Sequence, residues 1–583
     1  MHLKFLVGFA VVAAACAPGG APSAPHPVVE GDIGALMDTM PLRDRIAQLV
    51  VPWIAGGYTP FDEVAFRRAE EWVDSLHVGG VIISIGSPLD VAARLNRLQR
   101  RSTLPLLVSS DLESGTTFRL VGATPFPPNM GVGAGGKELD AYEVGRVTAL
   151  EGRAVGIHLT FAPVADINNN PGNPVINTRS FGEDPQAVAR LVGAAVKGIQ
   201  EHGMLATAKH FPGHGDTGTD SHLTLPVISA DWARFDSLEL VPFRAAVAAG
   251  VAGVMSAHIA LPGIDSGRTR PGTVAPNILT GVLRDSLGFR GFTVTDALNM
   301  GGLVGSYGAG EATVLAFLAG ADMLLQPGDP RVAIDAMEAA VRAGRISRER
   351  LDRSLRTILR LKKSLGLFER RLVSLDSVPD VVGRAEFQAE AREITARSIV
   401  LAKDTAGAAD SLRAAPRRIT LVSYGEGATE GFGATFASEL RAGGHTVTSV
   451  RLTAASGAAS YDSARTALEQ NPYAVFAVAV RALAGRGSIA LNRSMAALID
   501  STAAARPTVL VSFGSPYIVM QTPRVGSYLL AWATNPVSER AAGQALVGAA
   551  ITGRLPIRIP PDLPIGAGLE RPPRTGGAAR VAP

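Results

Sequence analysis

Cysteine is almost absent from this chain: Cys16 is the only one in 583 residues. Disulfides within the chain are therefore excluded. Charge of one sign is also scarce, since 56 Lys and Arg against 52 Asp and Glu leave a formal charge of only +4. No basic run carries interleaved aromatics, so no nucleic-acid partner is expected. No apolar run reaches the roughly 20 residues that a helix needs to cross a bilayer. What remains is an ordinary globular composition, 46% hydrophobic and 19% charged, on a chain long enough for two or three domains with their own cores.

The N-terminus, MHLKFLVGFAVVAAAC, places Lys4 before an apolar run that ends at Ala15. It reads as a signal-peptide core. A lone cysteine directly behind such a core resembles a bacterial lipoprotein cleavage site, although Ala13 stands where Leu is usual. The expectation is a signal over residues 1–16, lipidation at Cys16, and a flexible tether over 17–34 that holds an exported body off the membrane. The alternative is an incidental cysteine in a cleaved peptide.

From residue 35 to 375, eight short apolar runs alternate with amphipathic segments: 46–54, 79–86, 105–113, 158–167, 204–211, 250–259, 291–298 and 321–327. Buried parallel strands read as near-continuous apolar runs, and eight strand–helix units predict a closed (β/α)₈ barrel. Acids and bases collect where the runs end: Asp111 and Glu113, Asp166, Lys209 and His210, His258, Asp296, Gln326. Barrel active sites are built at that end. A second series, over 398–404, 417–425, 445–452, 473–480, 508–514 and 527–533, predicts a smaller α/β sandwich across 385–565. GEGATEG (425–431) has glycines misspaced for a dinucleotide loop. Residues 566–583 are expected to be disordered.

The densest chemistry lies in KHFPGHGDTGTDSH, Lys209 to His222. A loop gathering His210, His214 and His222 around a metal is one reading, but Pro212 and Gly213 deny the helical spacing of known zinc sites. Proton transfer is the other. Asp220 and His222 flank Ser221, and in an extended segment alternate residues share a face, so carboxylate and imidazole can meet. The carboxylate would orient the ring and favour its protonated form. A structural Asp–His hydrogen bond is the plainer alternative. A glycosidase needs a second carboxylate besides its acid, and Asp296, ending the run GFTVTDAL, is placed for that. A helix N-cap is its bland reading. For Lys209 and Arg179 the bland readings are surface charge and a bridge to Glu183 or Asp184.

KHFPGHGDTGTDSH resembles the motif of family 3 glycoside hydrolases of the β-N-acetylhexosaminidase branch. NPVINTRSFGEDP (173–185), TVTDALNM (293–300), FPPNMGVGA and GRLPIRIP (553–560) resemble further segments of that family in the same order. The resemblance implies a catalytic barrel followed by an α/β sandwich domain. It implies Asp296 as nucleophile and His222, assisted by Asp220, as general acid/base. Asp111, Arg119, Arg179, Lys209 and His210 match residues that grip the terminal sugar. No cofactor or metal is implied, only a saccharide substrate. In DLESGTTFR, Ser114 replaces the first Gly of the family's D-x-E-G-G, and a side chain there is expected to tilt the loop carrying Asp111 and Arg119. A phosphorylase, another family 3 β-glycosidase and a non-catalytic sugar-binding lipoprotein are the competing readings. The sequence carries no signal for oligomeric state.

Overall fold

The computed structural model describes residues 30–60, 63–425, 431–482, 485 and 489–574. Cys16, the signal-like run, residues 17–29 and most of the GEGATEG loop lie outside the described residues.

Nine strands make the first sheet system: β1 (Val50–Val51), β2 (Trp53–Ala55), β3 (Gly80–Ser84), β4 (Leu107–Ser110), β5 (Leu159–Thr160), β6 (Leu205–Phe211), β7 (Gly253–Ser256), β8 (Phe292–Val294) and β9 (Leu324–Leu325). From β2 to β8 they pair in chain order, all parallel. β1 and β2 are separated only by Pro52, which has no N–H for the ladder. β1 pairs with β9 through Val50–Leu324 and Val51–Leu325, and Val294 bridges to Met323. The ring is closed, with β1 and β2 sharing one stave of eight. The staves coincide with the eight apolar runs, because their residues are buried from both sides. A helix follows each stave, beginning with Val64–Asp74 and ending with Pro330–Arg342. Three of these helices start on a side-chain cap followed by proline: Ser87–Pro88, Asp184–Pro185 and Asp329–Pro330.

The second sheet contains β10 (Val400–Asp404), β11 (Arg418–Gly425), β12 (Thr446–Thr453), β13 (Tyr473–Ala479), β14 (Thr508–Ser512) and β15 (Ser527–Leu530). Its order is β10-β15-β14-β13-β11-β12, parallel except where β10 runs against β15. Helices Ala408–Ala414, Ala434–Ala442 and Pro536–Val547 cover one face, and Ala458–Glu469 and Arg493–Ala505 the other. This is the α/β sandwich.

Three expectations at the boundaries are corrected. The tether does not extend to residue 34: Glu30–Thr39 is a helix, and its Ile33 and Met37 pack on Leu355 and Leu359. Helix Ala385–Ser398, expected to open the second domain, buries Phe387, Ala391 and Ile394 in the barrel's core. Residues 566–574 are not disordered. Ile551 and Arg571 exchange backbone hydrogen bonds, and the Arg571 guanidinium pairs with Asp410 at 2.7 and 2.8 Å. The apolar pattern that marks a core element is missing there, because what holds this segment is polar. Residues 575–583 lie outside the described residues.

Candidate active site

The loops after β4, β5 and β6 bring together a charged cluster. Lys209, on β6, is only 2% exposed; its Nζ lies 2.8 Å from Asp111 Oδ1 and 2.7 Å from Glu113 Oε1. Arg179, in the short 3₁₀ turn Asn177–Arg179, grips Glu113 with two parallel bonds of 2.8 and 2.7 Å. Arg119 Nη2 reaches Asp111 Oδ2 at 3.2 Å. Lys209 is thus no surface charge, and Arg179 does not bridge to Glu183 or Asp184. Glu183 accepts from the Arg558 N–H, and Asp184 caps its helix. Burial works against the charge on Asp111 and Glu113, but the neighbouring cations overcome it. Lys209 and Arg119 lower the pKa of Asp111, and Arg179 and Lys209 hold Glu113 well below the usual range. Glu113 was visible in the sequence only as an acid at a strand end. Its role in holding both cations needed the fold.

Ser114 does not occupy the left-handed position of this loop. The left-handed position is the next residue, Gly115, at φ 93°, where a Cβ would meet Phe126 at 2.9 Å. Only the second glycine of the pair is required, so a side chain at 114 is tolerated. Glu151, fully buried beneath the loop, accepts from both Thr116 and Thr124.

The three histidines of the long loop go to different partners. His210 Nδ1 lies 2.7 Å from buried Asp166, and its Nε2 is 3.2 Å from Arg179. His214 lies between the hydroxyls of Thr217 and Ser221, both at 2.9 Å, and burial pulls its pKa down to about 4. His222 Nδ1 meets Asp220 Oδ1 at 2.8 Å. Among the described residues no group of three His, Cys, Asp or Glu is arranged to hold a metal ion.

The Asp220–His222 pair forms in a turn rather than an extended segment. Leu223 and Thr224 donate their N–H groups to the Asp220 carbonyl, and the His222 N–H donates to Asp220 Oδ1 at 2.9 Å. This Asx-type turn wraps the ring back onto the carboxylate. Asp220's side chain is 1% exposed and that of His222 34%, so the ring presents its other edge outward.

Asp296 follows β8 and is half-buried. Burial alone would raise its pKa, yet His210, His258, the Ala297 N–H at 2.8 Å and His222 together pull it down to about 2. It does not cap a helix: the next one, Gly301–Tyr307, starts after Met300 and has no side-chain cap. His258 Nε2 donates to the Ala297 carbonyl at 3.0 Å, fixing the backbone beside the acid. Gly301 and Gly302 donate to the carbonyls of His222 and Ser221, both at 3.2 Å, and so tie the Asp296 loop to the Asp220–His222 turn.

A half-buried acid, an imidazole backed by a carboxylate and a set of fixed charged donors, gathered at the C-terminal ends of the strands, fit a barrel that cleaves glycosides. Comparisons with known proteins give the family. Residues 41–361 match the model described as the glycosyl hydrolase family 3 N terminal domain. The chain is 34% identical over 493 residues to a β-N-acetylglucosaminidase/β-glucosidase of Cellulomonas fimi, covering 82% of this chain and 87% of that one. It is 37% identical over 295 residues to a β-hexosaminidase of Neisseria meningitidis, covering 48% of this chain and 80% of that one. A solved family 3 β-N-acetylglucosaminidase from Paenibacillus superposes with a TM-score of 0.80 at 33% identity, over 89% of this chain and 99% of that one. A β-glucoside phosphorylase superposes at 0.83 with 26% identity, over 91% and 96%. The chain belongs to glycosyl hydrolase family 3 and is a glycoside hydrolase.

Proposed function

We propose that this chain is a retaining, exo-acting β-N-acetylhexosaminidase that removes terminal β-linked N-acetylglucosamine from peptidoglycan- or chitin-derived saccharides. The observation that carries the reading is the pairing of an ionised Asp296 with an imidazole whose Nδ1 is already committed to Asp220. Asp296 attacks the anomeric carbon while the proton on His222 Nε2 passes to the departing glycosidic oxygen. The product is a glycosyl ester of Asp296. His222, now neutral, takes a proton from water, which attacks the same carbon, releases the sugar with retained configuration and frees Asp296. Asp111, Arg119, Arg179, Lys209 and His210 hold the terminal sugar's hydroxyls. Because these groups are already paired with one another, they are oriented before the substrate arrives. The named relatives support the N-acetylhexosamine preference.

A panel of nitrophenyl glycosides tests the sugar preference. A 2-fluoro or 5-fluoro glycosyl fluoride should leave a mass increment on the peptide carrying Asp296; labelling elsewhere refutes the mechanism. A second reading is phosphorolysis, favoured by the similarity to the β-glucoside phosphorylase. A histidine acid/base repels phosphate less than a carboxylate would, so phosphate could take the place of water. Release of sugar 1-phosphate in the presence of phosphate separates the two outcomes.

The export reading rests on the N-terminal sequence. Fractionation and lipid labelling of the wild type and Cys16→Ser test whether the enzyme is a membrane-anchored lipoprotein of the cell envelope. Identical behaviour of the two ends that reading.

A further inference from the structure

Asp220 receives more than the histidine it orients. Oδ1 accepts from the His222 N–H and faces His222 Nδ1, both within its own turn. Oδ2 accepts from the backbone N–H of Gly485 at 2.8 Å, and Gly485 belongs to the second domain, on the segment after β13. The carboxylate is buried, and burial penalises its charge; the donors from His222 and Gly485 lower its pKa nonetheless.

The second domain is fixed against the same side of the barrel by independent contacts. Asn168 Nδ2 donates to the Tyr517 hydroxyl at 2.9 Å, and Asn177 Nδ2 reaches Ser515 Oγ at 3.3 Å. The Glu183 N–H donates to the Pro556 carbonyl at 2.9 Å. These brace the loop of Arg179, while Gly485 reaches the Asp220–His222 turn.

We propose that the second domain is a working part of the general acid, with the Gly485 amide as the positioning group that fixes the Asp220 carboxylate and, through it, the His222 ring. The inference rests on the dyad's role in the proposed mechanism. A carboxylate held only at Oδ1 by its own turn can rotate about its Cα–Cβ and Cβ–Cγ bonds. Held at both oxygens from opposite sides, it presents one edge to the imidazole. The ring is then locked with Nε2 toward the glycosidic oxygen before the substrate binds. Gly485 has φ 79°, which suits glycine, and a Cβ there would meet nothing within 4 Å.

The test removes the N–H alone. Gly485 is replaced by glycolic acid, which exchanges its amide for an ester and adds no side chain. Gly485→Asn is the companion, because Asn tolerates positive φ and keeps the N–H. kcat/KM is measured on an N-acetylglucosamine disaccharide, whose leaving group needs a proton, and on a 2,4-dinitrophenyl glycoside, whose leaving group does not. kcat/KM stops at formation of the glycosyl-enzyme, so breakdown of that intermediate does not enter. The ester should lose about tenfold or more on the disaccharide and under about threefold on the aryl substrate, the size expected for one hydrogen bond to a charged group. Gly485→Asn should keep the wild-type ratio between the two substrates. Equal losses on both substrates, or none on either, overturn the proposal. If the wild-type enzyme cleaves no glycoside at all, the functional reading fails first and takes this inference with it. If it cleaves both and the ratio never moves, only this inference fails.

Discussion

His222 and Asp220 fail in different ways when altered, and each way reports a contact. In the proposed mechanism His222→Ala removes proton donation, worth about 10²–10⁴ in rate. That loss should appear in kcat/KM for disaccharides and be largely spared for dinitrophenyl glycosides; equal loss on both removes His222 as the acid. Asp220→Asn looks conservative but should not be. Three N–H groups point at this carboxylate, two from His222 and one from Gly485. Whichever way the amide is turned, its NH₂ faces a donor, leaving buried groups unpaired at about 1–3 kcal/mol each. We expect kcat/KM on disaccharides to fall by about tenfold to a hundredfold, and activity near wild type would return Asp220 to ordinary loop structure. Asp296, with its pKa at about 2, stays ionised across the whole working range. Its protonation therefore belongs at the extreme acid end of a kcat/KM profile, where falling pH converts the attacking carboxylate to the acid form. A limb near pH 4–5 that vanished only when Asp296 was altered would contradict that.

At the scale of elements, the spacing between the proposed acid, His222, and the proposed nucleophile, Asp296, is set by backbone rather than side chains. A Cβ on Gly301 would sit 2.8 Å from the Leu223 carbonyl and 2.9 Å from that of His222. Gly301→Ala should push the two loops apart and cost up to about a hundredfold in kcat/KM. The melting temperature should hardly change, because Ala is the better helix residue by about 1 kcal/mol at the start of Gly301–Tyr307. Retained activity would show that the loops can give. The same dependence on backbone explains what could be read from the sequence. The eight barrel staves and the buried strands of the second sheet announced themselves as apolar runs, because burial from both sides leaves few polar interruptions; β12, exposed at the sheet's edge, mixes polar and apolar residues instead. Asp296 and Lys209 stood out as polar residues where such runs end, and His222 through its spacing from Asp220. The Asx-type turn at Asp220, the grip of Glu113 on Arg179 and Lys209, and the Gly485 amide carried no such mark. They depend on approaches between segments far apart in the chain, and a backbone N–H has no letter in a sequence.

For the whole molecule, the most exposed weakness in stability lies away from the site. Lys362, on the helix Arg348–Ser364, is fully buried, donates to Gln48 Oε1 at 2.6 Å, and is pushed by burial down to about 7. Unfolded, it titrates near 10.5. Below pH 7 the folded protein must bury a cation. Between 7 and 10.5 the unfolded chain binds the extra proton, so this residue's contribution to stability rises with pH. Lys362→Met should be the more stable form at pH 6, and its advantage should shrink by about 2–3 kcal/mol by pH 9. Denaturant midpoints at the two pH values check this, and a gap that does not move would mean the lysine is neutral or charged throughout.

The closure of the ring has a consequence in time. Val50 pairs with Leu324, and the helix that carries Ile33 rests on Leu355 and Leu359. A ribosome must therefore release more than half of the chain before its earliest strand finds its second neighbour. Until then an open curl of parallel strands has a raw edge at each side, which favours delay and handling by other proteins over early collapse. Nascent chains halted before Met323 should be cut readily by protease, and chains halted beyond Leu367, once the exit tunnel is cleared, should resist it. A protein bound for export would gain from such lateness, since it reaches the membrane still loose enough to thread.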